Sequence, residues 1–591
     1  MQVTRTFDLL EQLVKKYPKD DILSRKVSGK WIKYSCDSYN KHSHLMAYAF
    51  LSIGLQPQDK VITITNNRPE WNFIDMGLTL AHMVHVPVYS TLSDEDYLFI
   101  FEHSDAKVIF LGTEPLCKKI AGLVKKVPRD IKVYSIDEVE GFESISDLYK
   151  LGESKEDELS KVIEHNKKNI SENDLATIIY TSGTTGTPKG VMLSHKNLVF
   201  NFIGHANQQI RDYRHKMLSF LPLCHIYERS MNYDYQYMGI STYYAEGLGT
   251  IAADLADSQA DGFCAVPRVL EMMFNKLEAA GKDLKGIKKI IYKWAFSIAC
   301  EYDYNKTGFF TKLKYKIADK LVYSKWRAKL GGKEMLVVSG GSSIQAKIIR
   351  LFTAAKLYIF EGYGMTEASP VIAVNNPREM IIKIGTVGKA FEGTEMMIAE
   401  DGEILTRGPH IMLGYYKDPE YTSQVIDSEG WLHTGDIGVM VDKTFLKITD
   451  RKKEIFKLSA GKYIAPQVLE NMLKESSFIE NCMVVGENQK FASAIIIPDF
   501  TQLSSWAEKH KIRFKDKHEL VENKAVADKI NKEIERINKK LATHEQIKRV
   551  KLVSDEWTPL NDMLSQTLKL KRHNIKAKYQ NLINDIYNNE L

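Results

Sequence analysis

At 591 residues, 44% of them hydrophobic and 26% charged, the chain is too long for one ordinary core and has a globular composition, so at least two domains are expected. The start, MQVTRTFDLLEQLVKK, holds no apolar run long enough for a secretory signal, and nowhere do about 18 apolar residues run uncharged as a membrane span requires. The net charge is +6, and all of it falls after residue 449: residues 450–591 carry 26 Lys+Arg against 20 Asp+Glu, leaving the first 449 neutral. That surplus reads as solvated helix faces, or as a surface that closes over phosphates or touches anionic lipid.

In chain order, VITIT at 61–65, VIFL at 108–111, ATIIY at 176–180, MLVVS at 335–339 and LYIF at 357–360 are short apolar runs bounded by polar or Gly-rich residues. They predict buried strands. Between them come helical patterns such as residues 267–280, where Val269, Met273 and Leu277 repeat at helical spacing. Strands alternating with helices predict an α/β fold with largely parallel sheets and functional loops at strand ends. Near residue 430 the texture changes. GVMVD and TFLKITD predict two strands joined by a turn at Asp442–Lys443, followed by the charged cluster DRKKE. A helix at 466–474, strands CMVV and SAIII, and a Lys/Glu-rich helical stretch from about 518 to 540 complete a smaller α+β unit, and the charged 508–540 stretch is helical in pattern, not a disordered tract. Cys36, Cys117, Cys224, Cys264, Cys300 and Cys482 lie far apart without a CxxC pair, which favours reduced thiols in a cytosolic protein over disulfides or a zinc site.

The most telling segment is YTSGTTGTPKG at 180–190, where a buried strand runs into a Gly/Thr-rich loop. Glycines let a backbone approach an anion closely, hydroxyls and free N–H groups surround phosphate oxygens, and Lys189 adds positive charge. It is not a Walker A loop, because no GxxxxGK[ST] spacing is present and Pro188 occupies the place of the required Gly.

TSGTTGTPKG resembles the phosphate loop of the adenylate-forming superfamily, and further motifs follow in that family's order from residue 180 to residue 572. The resemblance assigns Thr181, Ser182, Gly183, Thr185 and Gly186 to nucleotide phosphates, and Thr184 and Lys189 to catalysis. LPLCHIYER at 221–229 is similar to the motif whose His225 lies near the carboxylate being activated. A lone histidine beside apolar residues is usually packing, and its place in the series changes that reading. VVSGGSSI at 337–344 places Gly340, Gly341 and Ser342 in the adenine pocket. In EGYGMTE at 361–367, Gly362 and Tyr363 serve adenine, Thr366 bonds phosphate, and Glu367, with Thr184, would hold Mg²⁺.

WLHTGD at 431–436 ends in Asp436, whose two oxygens suit the ribose hydroxyls. In DRKKE, Arg451 could bond the ribose and Asp450 would be the interdomain hinge. SQTLKLKR at 565–572 carries Lys569, the adenylation lysine by resemblance, although Ser565-Gln566 stands where the long-chain branch commonly has Thr-Pro.

The resemblance implies a large multi-sheet N-terminal domain with helices on its sheets (1–449) and a small mobile α+β lid (450–591). After adenylation the lid would rotate, bringing Lys453, Lys457 and Gly461 to face CoA. LPLCHIYER, EGYGMTEASP, TLKLKR and the 56–71 region look most like long-chain fatty acyl-CoA synthetases. Their substrates are a long-chain fatty acid, ATP and CoA, with Mg²⁺ as cofactor. A carrier protein in place of CoA, an aromatic or amino acid substrate, or a non-catalytic nucleotide-binding role are the alternatives. No nucleic-acid partner is expected. The location expected is cytoplasmic, and a fatty substrate suggests transient peripheral contact with a membrane.

Overall fold

The computed structural model describes residues 2–182, 187–304, 308–565 and 568–588. Two large mixed sheets dominate the first 449 residues. In the eight-stranded one, Lys60–Ile64, Val84–Val88, Val108–Leu111, Lys132–Ser135 and Leu175–Ser182 run parallel. In the nine-stranded one, Lys216–Ser219, Ser241–Tyr244, Gly262–Ala265, Met335–Ser339 and Leu357–Gly364 do the same. The inner strands VIFL and MLVVS are buried along their length, as expected of parallel strands covered on both faces. The Pro69–Leu80 helix shows the effect: all twelve of its residues are buried.

Each expected strand is present, although two of the runs extend further than expected. ATIIY lies within Leu175–Ser182 and LYIF within Leu357–Gly364. A four-stranded antiparallel sheet follows, in which Leu432–Val441 and Phe445–Arg451 pair as a hairpin. Asp442 and Lys443 take φ of 50° and 60° at its tip, the conformation a two-residue turn requires.

The C-terminal unit is an α+β fold. A three-stranded sheet, Ile479–Val485, Ala492–Pro498 and Ile547–Leu552, packs against helices that include Pro466–Leu473 and Lys524–Asn538. The helical stretch expected from about 518 to 540 is present as two helices, Lys517–Glu522 and Lys524–Asn538, separated at Asn523. The Asn523 side chain accepts from the Ala525 N–H and caps the second helix, a role asparagine fills better than a helix interior. No apolar core cluster of the described residues crosses Asp450: each lies wholly before residue 449 or wholly after 455. Among the described residues no helix is long and apolar enough to cross a membrane, and all six cysteines are free thiols.

The parallel strands share one consequence. Residues at or just past their carboxyl ends, among them Asn66, Ser90, Thr181, Leu221, Val266 and Gly340, line one cleft of about 4070 Å³. Carboxyl ends of parallel strands are where α/β sheets collect ligands.

Candidate active site

The phosphate-loop strand does not simply run out into a loop. It returns as Pro188–Ser194, antiparallel, with Thr181 opposite Lys189 and Tyr180 opposite Gly190. Pro188 is the first residue of that return strand, a position where its missing N–H costs no ladder bond. Gly183, Thr184, Thr185, Gly186 and the Ser182 side chain lie outside the described residues. Thr181 and Lys189 both line the cleft, and the Lys189 ammonium rests over the Tyr421 ring, 5.5 Å from the centre of the Tyr415 ring.

The next wall is built by two neighbouring parallel strands. Met335–Ser339 delivers Gly340, Gly341 and Ser342 to the cleft, with Gly341 at φ +85°, a backbone that glycine adopts without strain. Leu357–Gly364 delivers Gly362 and Tyr363. Gly364 has a packing reason, since a Cβ there would collide with the Pro370 carbonyl. Tyr363 is buried, and its hydroxyl donates to Asp436 Oδ2 at 2.6 Å. The other Asp436 oxygen lies 3.3 Å from Arg451 Nε, because the hairpin register sets Asp436 and Arg451 opposite each other. Burial alone would lower the Arg451 pKa, and Asp436 and Glu454 hold it above its ordinary value.

Thr366 and Glu367 begin a short 3₁₀ turn facing this wall. Burial raises the Glu367 pKa, and the Tyr415 hydroxyl donates to its Oε1 at 2.8 Å. Among the described residues no group of three or more His, Cys, Asp or Glu side chains could enclose a metal. A single cleft-facing carboxylate does fit Mg²⁺, which commonly binds through one or two carboxylates plus substrate phosphates. Tyr415 and Tyr421, which hold Glu367 and Lys189, belong to no motif and were missed in the sequence. The GYYKDPEY run around them carries no signal beyond aromatic content.

LPLCHIYER divides into two roles. His225 caps the Ile226–Met238 helix, its Nδ1 accepting from the Tyr227 N–H at 3.1 Å, and its side chain faces the cleft. Burial first, and then the nearby Lys569, push its pKa down to about 4, so it is a neutral imidazole at physiological pH. Arg229 is fully buried one turn later. It pairs with Asp75 at 2.5 Å and donates to Thr177 Oγ1 at 2.7 Å, tying this helix to the strand that leads into the phosphate loop. Tyr233 and His85 complete the shell around Asp75.

Lys569 arrives from the C-terminal unit. A bridge pairs its neighbour Leu570 with Leu564. The Lys569 N–H donates to Ser565 Oγ at 3.1 Å, and the Ser565 N–H donates to the Lys569 carbonyl at 2.7 Å. Ser565 thus engages the lysine backbone through its hydroxyl; Gln566 lies outside the described residues. Burial, and then Arg451, lower the Lys569 pKa to about 8, against opposing attraction from Asp436, Glu454 and Glu367. The C-terminal unit docks across the cleft mouth through Asn471 to Ser343 (2.6 Å), Gln345 to the Lys474 carbonyl (3.0 Å) and Arg268 to Glu480 (2.6 Å).

Asp450, fully buried between the two units, accepts from the N–H groups of Arg451 and Gln467 at 2.6 and 3.0 Å. Burial still raises its pKa to about 6. Lys453 lines the cleft in this arrangement, whereas Lys457 and Gly461 sit on an exposed hairpin outside it. Apart from Lys457, Gly461, the hinge residue Asp450 and the loop residues 182–186, the assigned residues share one cleft.

An AMP-binding enzyme family model matches residues 10–416, and an AMP-binding enzyme C-terminal domain model matches residues 453–591. The chain belongs to the AMP-binding enzyme family. It is 30% identical over 593 residues to a long-chain-fatty-acid–CoA ligase of Mycobacterium bovis, covering 99% of this chain and 98% of that protein. It is 31% identical over 587 residues to long-chain-fatty-acid–CoA ligase 1 of Homo sapiens, covering 94% and 82%.

Two solved structures share the fold. One is the A domain of a carboxylic acid reductase from Segniliparus rugosus in complex with AMP and a co-purified carboxylic acid, with TM-score 0.75, 19% identity and 99% and 94% coverage. The other is the o-succinylbenzoate coenzyme A synthetase of Bacillus subtilis in complex with ATP and magnesium, with TM-score 0.67, 17% identity and 96% and 99% coverage.

Proposed function

We propose that this AMP-binding enzyme joins a long-chain fatty acid to CoA in two steps. The observation that carries the reading is the gathering of His225, Glu367, Asp436, Arg451 and Lys569 around one cleft, in a chain 30% identical to a fatty-acid–CoA ligase along nearly its whole length.

In the first step a carboxylate oxygen attacks the α-phosphorus of ATP. The bond from that phosphorus to the bridging oxygen breaks, and pyrophosphate leaves with the electron pair. Asp436 and Arg451 hold the ribose, with Tyr363 and Gly340–Ser342 around the adenine. Lys189 meets the outgoing phosphates, and Lys569, as the ammonium, meets the crowded α-phosphate and carboxylate. Mg²⁺, held by Glu367 and Thr184 with phosphate oxygens, would supply charge neutralisation. The neutral His225 positions the acid without adding charge. In the second step the CoA sulfur attacks the acyl carbon, the bond to the AMP oxygen breaks, and the thiol proton goes to solvent.

The division into residues 1–449 and 450–591, with a hinge at Asp450, belongs to the same proposal. It is supported by apolar clusters that stop on either side of Asp450. The lid would rotate between steps to bring Lys457 and Gly461 to the cleft.

Pyrophosphate release across a panel of fatty, aromatic and amino acids tests the first step, and a long-chain fatty acid should be preferred. Offering CoA or acyl carrier protein to the acyl-adenylate then tests the second. Preference for an aromatic or amino acid, exclusive transfer to the carrier protein, or ATP binding without turnover on any acid would each overturn the reading.

A further inference from the structure

The neutral balance of the first 449 residues hides a local extreme. Residues 285–325 contain ten lysines against Glu301, Asp303 and Asp319, a surplus of seven that exceeds the net charge of the entire chain. Asp319 is also engaged by Arg327 at 2.5 Å. The described lysines other than the half-buried Lys289 are exposed.

The same segment carries the most exposed apolar side chains of its surroundings. Phe309 and Phe310 are each 78% exposed, Ile287 is 74% and Ile290 is 68%. Phe309–Ala318 continues through a π turn, Asp319–Tyr323, into Ser324–Ala328. Its inner face is already packed: Ala318 and Val322 are buried, Tyr315 donates to the Ile298 carbonyl, and Tyr323 donates to the Ala295 carbonyl. Its outer face presents Phe310, Leu313, Ile317 and Leu321, a solvent-facing stripe at helical spacing. Lys312, Lys316 and Lys320 flank the stripe on one side and Lys314 on the other.

We propose that this outward face docks on an anionic phospholipid bilayer, with the phenylalanine stripe at the headgroup–acyl boundary and the lysines among the headgroups. Charge decides among occupants. A second copy would set two surpluses of seven against each other, and a nucleic acid would engage the lysines while leaving both phenylalanines in water. A bilayer answers both features at once. The Gly286–Cys300 helix packs on the helices that start at Pro267 and Ala346, both of which border the cleft, so docking would hold the cleft close to the lipid surface.

The test is co-sedimentation of the full chain with phosphatidylcholine vesicles, with and without about one-third phosphatidylglycerol. Each lysine near an anionic surface contributes about fivefold to partitioning (about 1 kcal/mol). Replacing Lys312, Lys316 and Lys320 by Gln should therefore weaken binding to the anionic vesicles by about a hundredfold. Phe309→Ser with Phe310→Ser should abolish binding that survives raised salt. Vesicle binding needs no substrate, so its outcome is separable from the proposed reaction. Activation of a micelle-dispersed acid by the same variants should stay within about twofold, showing that they fold. Absence of binding by the parent chain, or equal binding by parent and lysine variant, would overturn the proposal. So would a dimer in solution that the same substitutions dissolve without any vesicle binding.

Discussion

The Tyr363 hydroxyl donates to one oxygen of Asp436 at 2.6 Å while Arg451 Nε lies 3.3 Å from the other, so one buried carboxylate is gripped from two strands. Its orientation is set before any ribose reaches it. A hydrogen bond to a charged group contributes about 1.5–3 kcal/mol. Tyr363→Phe should therefore raise KM for ATP about tenfold, and Tyr363→Ala more, because the ring is lost too. Initial rates of pyrophosphate release check this; an unchanged KM in the Phe variant removes Tyr363 from the role.

Lys569 carries a pKa lowered to about 8, so it is cationic below that pH and neutral above it. If its charge serves adenylation, kcat/KM for ATP should fall above pH about 8, by about tenfold per unit at the limit. Lys569→Arg should remove that alkaline limb at a lower plateau. Lys569→Ala should cost about 10²–10³ in rate, the usual loss for a preorganised contact. An alkaline limb that survives in the Arg variant belongs to another group.

Asp450, at the proposed hinge, accepts from the Arg451 N–H and from the Gln467 N–H in the first turn of the Pro466–Leu473 helix. Proline there removes both acceptors and restricts φ to about −65°. Asp450→Pro should leave adenylation, the step matching the arrangement described, near the parent rate. Transfer to CoA should fall about 10²-fold through misplacement. Single-turnover assays of each step decide; equal loss of both would sink the hinge assignment.

Arg229 and Asp75 form a fully buried pair, and neither lines the cleft. Burial would raise the Asp75 pKa, but Arg229 and then His85 hold it below the ordinary value. That contribution to stability is present above about pH 4, the unfolded value, and is lost as pH falls through the depressed native value. Breaking such a pair costs about 3–5 kcal/mol. Arg229→Met should thus lower the denaturation midpoint markedly, and adding Asp75→Asn should restore part of the loss.

Legibility in the sequence followed the source of each signal. Buried parallel strands were readable because full burial leaves continuous apolar runs, as in VIFL and MLVVS. Lys569 and Asp436 were readable because motif resemblance preserves spacing. The return strand at Pro188 was not, since proline there reads as a loop until the partner strand is known. Tyr415 and Tyr421 act through tertiary contact, which no local pattern encodes. Arg229 sits inside a motif yet faces away from the cleft, because adjacent helical positions point in different directions. The lysine-rich face at 285–325 vanished when charge was summed over 449 residues.

Arg572, three residues beyond Lys569, binds Glu454 at 2.9 Å and Glu470 at 2.6 Å, fastening the lysine loop to the chain just past Asp450. Lys457 and Gly461, which sit outside the cleft while Lys569 lines it, belong to that same chain segment. Lys569 and Lys457 are therefore geared to one body, like opposite teeth of a single wheel. Under the proposed rotation, turning it would exchange the two without presenting both, so acyl activation and thiol capture would alternate by construction, without a separate signal to keep them apart.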